Sequence, residues 1–109
     1  MAAWRRKALE AFPDLKTSLN DSQYSPYSLF SDLLPRWRSA HDTGDETTLE
    51  AIYDYAAWCM AQSASELWNA AGVSFYEHLF DQPQHWEVVI AYFSSDAGRE
   101  ICRSVSGLW

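Results

Sequence analysis

The segment from Asp45 to Gln62 constrains the fold more than any other part of the chain. Its apolar residues recur at the spacing of an α-helix and not at the alternation of a strand, namely Leu49, Ile52, Tyr53, Ala56, Cys59 and Met60. This spacing predicts a helix with one apolar arc. Gly44, directly before it, predicts the end of a preceding helix. A helix with one apolar side needs neighbouring helices to cover that side.

Two further helices are predicted from residues that begin or end helices. Residues 2 to 12 are predicted to form a first helix, after which Pro13 either ends the helix or opens a short turn through Leu15 and Leu19. Ser25 followed by Pro26 predicts the start of a second helix, because the serine side chain accepts a hydrogen bond from a free backbone N–H and proline needs none at the first helical position. Pro35 falls inside this second helix, where it removes a backbone hydrogen bond and predicts a kink.

Two S-x-x-E spacings follow the central helix. Ser63 with Glu66 predicts a capping box at the start of a short helix that Gly72 closes in a left-handed conformation. Ser74 with Glu77 predicts the start of another helix. One helix that runs straight through Gly72 is the alternative.

The last third of the chain contains one ambiguous segment. HWEVVIAYF, residues 85 to 93, has a β-branched centre typical of a strand, but no partner strand is apparent and we interpret it as a helix. Ser95 is expected to cap a last short helix with Ile101, Cys102 and Val105 turned inward. We therefore predict an all-α fold, a single domain over residues 1–109, with five to six short helices packed as antiparallel helical hairpins.

The charge balance disfavours several classes of partner. The chain has 8 basic and 15 acidic residues, a net charge of −7 with neutral histidines, which works against nucleic acids and anionic membranes. No apolar run approaches the roughly 20 residues that span a bilayer. None of signal-peptide length follows the basic N-terminal residues, so we expect a cytoplasmic protein. The excess of acid predicts a basic protein as the partner.

No complete catalytic, metal or phosphate-binding motif is present. HExxH, G-x-S-x-G and glycine-rich phosphate loops are all missing, and the chain has only four glycines. Cys59 and Cys102 have apolar neighbours, which is typical of structural thiols. We therefore predict no catalytic residue, no metal site and no cofactor.

The run GVSFYEHLF, residues 72 to 80, places Glu77 and His78 side by side among apolar residues. Adjacent residues on a helix point about 100° apart, so the two side chains cannot act directly on one substrate. We interpret Glu77 as a helix cap and His78 as a partly buried, hydrogen-bonded ring. A small enzyme that uses both residues, with Asp54, is the alternative.

The region from residue 42 to residue 54 contains five carboxylates and no lysine or arginine: Asp42, Asp45, Glu46, Glu50 and Asp54. The last three step by four residues and share one side of the helix, which we call the acidic face. Like charges at this spacing repel by a few tenths of a kcal/mol per pair. A solvated face is the ordinary explanation of such a helix. A basic protein partner is the alternative that we pursue, and a metal site or a catalytic site is also consistent with it.

Trp58 falls at the edge of the acidic face. Tryptophan beside charged residues is common at protein interfaces, although packing under a neighbouring helix explains the position slightly better. We predict that Trp58 and the five carboxylates bind a basic protein partner.

Three runs of the sequence, DLLPRWRSAH, ETTLEAIYDYAAWC and LWNAAGVSFYEHLF, resemble a family of small, all-helical bacterial proteins of uncharacterised function. The resemblance covers residues 30 to 93 and implies a bacterial, cytoplasmic, helical protein. Small acidic proteins of this kind are often immunity proteins, which neutralise a toxin from a competing cell. By this analogy we expect an immunity protein that binds a basic toxin or nuclease domain. A scaffold or homo-oligomer-forming domain is an alternative.

Overall fold

The computed structural model describes residues 2–79, 81 and 83–94. Within these ranges the chain forms no strand and six α-helices: α1 Ala3–Ala11, α2 Lys16–Leu19, α3 Pro26–Thr43, α4 Glu46–Met60, α5 Ser65–Ser74 and α6 Trp86–Ser94. Single-turn 3-10 helices connect some of them, namely Pro13–Leu15, Tyr76–His78 and Pro83–His85. The predicted all-α class is confirmed, and the segment with the β-branched centre is helical.

The longest helix, α3, begins and ends at the predicted residues. Ser25 Oγ accepts a hydrogen bond from the backbone N–H of Ser28 at 3.2 Å, and Pro26 occupies the first helical position. Gly44 follows the last helical residue with a φ of 72°, a left-handed conformation that costs glycine less than any residue with a Cβ. Pro35 lies within α3, and the helix continues on both sides of it.

A wider side of α4 is buried than its periodicity predicts. The predicted arc divides into buried Ile52, Ala56 and Cys59 and partly buried Leu49, Tyr53 and Met60. Tyr55 lies outside that arc but is buried as well, and its hydroxyl donates a hydrogen bond to the backbone carbonyl of Trp4 in α1 at 3.0 Å. α4 therefore packs against α1 in addition to α3 and α5.

Aromatic rings fill the space between these helices. The ring centroid of Phe30 in α3 lies 5.8 Å from that of Tyr55 in α4 and 5.8 Å from that of Phe75, directly after α5. Phe12, directly after α1, packs edge-on against Tyr55 at 5.9 Å. Tilted and edge-on pairs of this kind stabilise a core beyond the area they bury. Many of the aromatic residues of this chain are therefore core residues.

The predicted capping boxes after α4 are wrong. α5 begins after Ala64 with no side-chain hydrogen bond at its start, so Ser63 and Glu66 do not cap it. Ser74 is the last residue of α5 and Glu77 is exposed in the following 3-10 turn, so this pair begins no helix. In both places the backbone reaches helical geometry without the side-chain caps that the spacing suggests.

Gly72 does not end a helix. α5 runs straight through it, as in the alternative interpretation, and Gly72 is buried in the helix beside Ala70 and Ala71. Glycine in a helix interior costs roughly 1 kcal/mol relative to alanine. The packing of α5 against α3 and α4 offsets that cost.

Among the described residues no helix is long and apolar enough to cross a bilayer. The described chain ends with α6, which places Val89 in the core. The predicted last helix, with Ser95, Ile101, Cys102 and Val105, lies outside the described residues.

Candidate partner-binding site

Two of the predicted binding residues have partners inside the protein. Asp42, at the end of α3, has its Oδ1 2.9 Å from Nε2 of His85. Asp45 caps α4 and accepts hydrogen bonds from the hydroxyl of Thr48 at 2.7 Å and from its backbone N–H at 3.1 Å. These hydrogen bonds lower the pKa of the Asp45 carboxyl. The positions of both carboxylates are therefore accounted for by hydrogen bonds within the fold.

The three residues of the acidic face are exposed along α4. Glu46 lies in the first turn, where the helix dipole favours a negative charge. Glu50 and Asp54 follow one and two turns later, where the dipole no longer helps. In the part of the chain that the structure describes, neither of these two carboxylates forms an ion pair. Of the five carboxylates, Glu50 and Asp54 are therefore the two whose charge no contact among the described residues stabilises.

An open groove of about 560 Å³ lies between α1 and α4, beside the acidic face. It is lined by Lys7, Glu10 and Ala11 from α1 and by Ala51, Asp54, Tyr55, Ala57 and Trp58 from α4. We call it the α1–α4 groove. Asp54 belongs both to the groove and to the acidic face, so the two features form one continuous surface.

Trp58 is half-buried in the α1–α4 groove. Its ring stacks on that of Tyr55, with centroids 6.0 Å apart and planes inclined by 24°. The hydrogen bond from Tyr55 to Trp4 holds Tyr55 in place against α1. Trp58 therefore packs on a side chain of its own helix and also lines an open groove. Its role in partner binding stays a prediction.

The two charged residues from α1 were not predicted for this site. Lys7 and Glu10 are exposed and lie one turn apart on α1, more than 40 positions from Asp54 in the sequence. The apolar pattern of α1 indicates that this helix packs against another one, but it does not indicate which. The sequence therefore contains no signal that places Lys7 and Glu10 beside α4. Among the described residues no ion pair joins Lys7 to either carboxylate of the groove.

A second polar cluster lies where the end of α3 meets α4 and the turn before α6. The hydroxyl of Tyr53 accepts a hydrogen bond from Nε1 of Trp37 at 2.9 Å and lies 3.3 Å from Nε2 of His41. The ring of His41 lies 5.7 Å from that of His85, the partner of Asp42. We call His41, Asp42, Tyr53 and His85 the histidine cluster.

Burial lowers the pKa of His41, and the neighbouring His85 lowers it further because two protonated rings would repel. His85 has 3% of its side chain exposed, and its Nδ1 is buried with no hydrogen-bond partner among the described residues. A ring so enclosed is out of reach of a dissolved substrate. The histidine cluster therefore serves to hold α3, α4 and the turn before α6 together.

Glu77 and His78 are not brought together. Nδ1 of His78 lies 2.8 Å from the carboxylate of Asp81, and Glu77 is exposed without a hydrogen bond to His78. His78 is hydrogen-bonded, as predicted, but the prediction that its ring is partly buried is wrong, because 46% of the side chain is exposed. The short 3-10 turn explains the difference, since it carries both residues outward.

The described residues contain no group of three or more His, Cys, Asp or Glu side chains placed to hold a metal ion. Cys59 is a free, fully buried thiol. Burial raises its pKa to about 12, so the thiol stays protonated at neutral pH.

The model of a family described as a domain of unknown function, DUF7674, matches residues 5–107. The match covers most of the chain and is wider than the predicted resemblance over residues 30 to 93. It agrees with the prediction of a family of uncharacterised function. No curated protein and no solved structure matches the chain significantly.

Proposed function

The chain belongs to the DUF7674 family, and we propose that it is a protein-binding module that recognises a basic partner through the acidic face and the α1–α4 groove. One observation carries the proposal. Glu50 and Asp54 are exposed on consecutive turns of α4 and form no ion pair with any residue that the structure describes. Because like charges at this spacing destabilise the free helix, a compensating gain on binding is the simplest reason to keep them.

The α1–α4 groove provides an aromatic anchor, Trp58, which the acidic face does not contain. Charge complementarity mainly accelerates association and selects partners, whereas affinity comes from a few buried anchors, among which tryptophan is frequent. Trp58 is half-buried and stacked on Tyr55, so little conformational freedom remains for it to lose on binding. A basic partner steered by the net charge of −7 would thus meet a preorganised aromatic side chain beside Asp54.

More specifically, we propose that the chain is an immunity protein. Its partner would be a basic toxin or nuclease domain whose cationic surface the acidic face covers, in the cytoplasm of a bacterial cell. The small size, net acidity and helical fold of the chain support this role, and so does the absence of a counter-charge on Glu50 and Asp54 among the described residues. The product of the reading frame directly upstream is the first partner to test.

The test uses two charge-reversed variants with the same net charge. One replaces the acidic face, Glu46→Lys, Glu50→Lys and Asp54→Lys, and the control replaces three exposed acids on other elements, Glu66→Lys, Glu77→Lys and Glu87→Lys. Circular dichroism establishes that both remain helical. Binding of the purified upstream gene product is then measured by calorimetry at about 50 and about 300 mM NaCl, since screening weakens surface charge interactions.

We expect the acidic-face variant to bind at least about 100-fold more weakly than wild type, and the control to stay within about threefold. Equal losses in the two variants would mean that only net charge matters, and this result would overturn the assignment to α4. If the upstream product is neither basic nor bound by the wild-type chain, the immunity role is wrong.

A further inference from the structure

We propose that the α1–α4 groove is a subsite for one arginine side chain of the basic partner, with the guanidinium group over the ring of Trp58 and in reach of Glu10 and Asp54. This inference rests on the proposed function and adds to it the residue type that the partner must present. It concerns the groove alone and makes no use of Glu46 or Glu50.

The lining of the groove fits an aliphatic stem that ends in a flat cation. Three alanines, Ala11, Ala51 and Ala57, contribute only methyl groups, so the groove stays open between the two helices. Trp58 and Tyr55 provide the aromatic part of the lining, and Lys7 and the two carboxylates provide the charged part. An apolar side chain would fill the same space but would leave both carboxylates partly desolvated without a partner, which is costly.

Charge favours a cation in this groove. Glu10 and Asp54 contribute two negative charges and Lys7 one positive charge. The three groups sum to one negative charge, and among the described residues no ion pair joins Lys7 to either carboxylate. One bound cation balances the groove. An anionic ligand would add a third negative charge to it.

Arginine suits this arrangement better than lysine. Its guanidinium group is planar and weakly hydrated, stacks on an indole ring, and donates two parallel hydrogen bonds to one carboxylate. A lysine ammonium group is a compact, strongly hydrated charge that does none of these equally well. The selectivity therefore follows from the combination of Trp58 with a carboxylate, and not from the carboxylates alone.

The arginine of α1 that stacks on a tryptophan is already engaged elsewhere. The guanidinium of Arg5 lies 4.6 Å from the ring centroid of Trp4 and donates hydrogen bonds to the backbone carbonyls of Leu19, Asp21 and Tyr24. Arg5 thus holds α1 to the segment after α2 and does not line the groove. Among the described residues, no arginine lines the groove.

The test titrates the full chain with two small probes, N-acetyl-L-arginine amide and N-acetyl-L-lysine amide. Binding is followed by NMR through the indole N–H resonance of Trp58, which is assigned by its loss in Trp58→Phe. We expect a saturable shift with the arginine amide and a dissociation constant roughly tenfold higher for the lysine amide. Equal constants for the two amides, or no saturable shift, would overturn the arginine subsite.

Three variants of lining residues and one control variant connect the effect to the groove. Glu10→Gln and Asp54→Asn should each weaken the arginine amide several-fold, while Glu66→Gln, an exposed change on α5, should leave it unchanged. Lys7→Gln should strengthen binding, because it removes the competing cation, and a gain cannot come from unfolding. A Lys7→Gln variant that binds more weakly would contradict the proposed charge balance.

The failure of this inference can be told apart from that of the proposed function. If the upstream gene product binds in a manner that depends on Glu46 and Glu50 but is unchanged by Glu10→Gln and Trp58→Phe, the arginine subsite is overturned and the acidic face stands. If reversal of Glu46, Glu50 and Asp54 leaves partner binding unchanged while the amide probes still discriminate on the wild-type chain, the proposed function is overturned. What stands is then the preference of the groove for an arginine side chain, and not its use by this partner.

Discussion

Asp42 and His85 are in contact across 43 positions of the sequence, with Oδ1 of the carboxylate 2.9 Å from Nε2 of the ring. Asp42 is at the end of α3 and is itself exposed, whereas His85, in the turn before α6, is almost fully enclosed. The pair therefore connects the turn that precedes α6 to the end of α3. A residue predicted for partner binding has its defined contact inside the fold.

Asp42→Ala should lower the free energy of unfolding by about 1–3 kcal/mol, because it leaves a buried ring nitrogen without its partner. Chemical denaturation with urea measures the change. Asp81→Ala is the comparison variant, since it removes the corresponding contact to the exposed His78 together with a 3.7 Å ion pair to Arg38. That variant should lose less than about 1 kcal/mol. Equal losses would show that the burial of His85 does not matter to the contact.

Acidification should destabilise the protein through His41. Burial and the neighbouring His85 lower the pKa of His41 below its ordinary value of 6.5, while Asp42 acts in the opposite direction. The unfolded chain then binds a proton at a higher pH than the folded chain. The stability that neutral His41 contributes is therefore fully present above the ordinary pKa of 6.5, and it is lost as the pH falls from there through the lowered pKa of the folded chain. His85, Asp42 and Tyr53 are the groups around it.

Thermal unfolding between about pH 7.5 and pH 5 measures this effect. The melting temperature of the wild-type chain should fall toward the acidic end, and the fall should be smaller in His41→Gln, which has no proton to gain. A steeper fall in His41→Gln than in wild type would mean that protonated His41 stabilises the fold.

Gly44 should not tolerate a side chain at low cost. Its φ of 72° lies in the left-handed region, and a Cβ added there would meet nothing within 4 Å, so the cost is conformational and not steric against a neighbour. Gly44→Ala should lower the free energy of unfolding by about 1 kcal/mol. Gly44→Asn should lower it less, because asparagine adopts this conformation more readily than alanine. Thermal denaturation of the two variants side by side checks the order.

The sequence predicts the parts of this fold that depend on near neighbours in the chain. Ser25, Pro26 and Gly44 define the ends of α3 correctly because a cap is a contact between residues three or four positions apart. The same rule is wrong for Gly72, where the packing of α5 outweighs the cost of glycine in a helix. Local chemistry predicts a helix end reliably only where no tertiary contact opposes it.

The sequence predicts only the part of the candidate site that lies on a single helix. The spacing of Glu50, Asp54 and Trp58 along one helix is visible in the sequence, and the structure brings the last two into one groove. The position of Glu10 beside Asp54 is not visible, because it depends on which side of α4 the first helix covers. Tyr55 decides that side through its hydrogen bond to Trp4, and no periodicity within either helix specifies this contact.

Neutralising Glu50 should stabilise the free protein while it weakens partner binding. Glu50 lies four residues from Glu46 and four from Asp54, so Glu50→Gln removes two like-charge pairs and should raise the free energy of unfolding by a few tenths of a kcal/mol for each. Glu66→Gln, exposed on α5, is the matched control and should change little. Urea denaturation at low salt is the measurement, because the gain should shrink as salt screens the repulsion. A destabilised Glu50→Gln would mean that the carboxylate makes a favourable contact within the chain, and the argument that it is kept for an external cation would then fail.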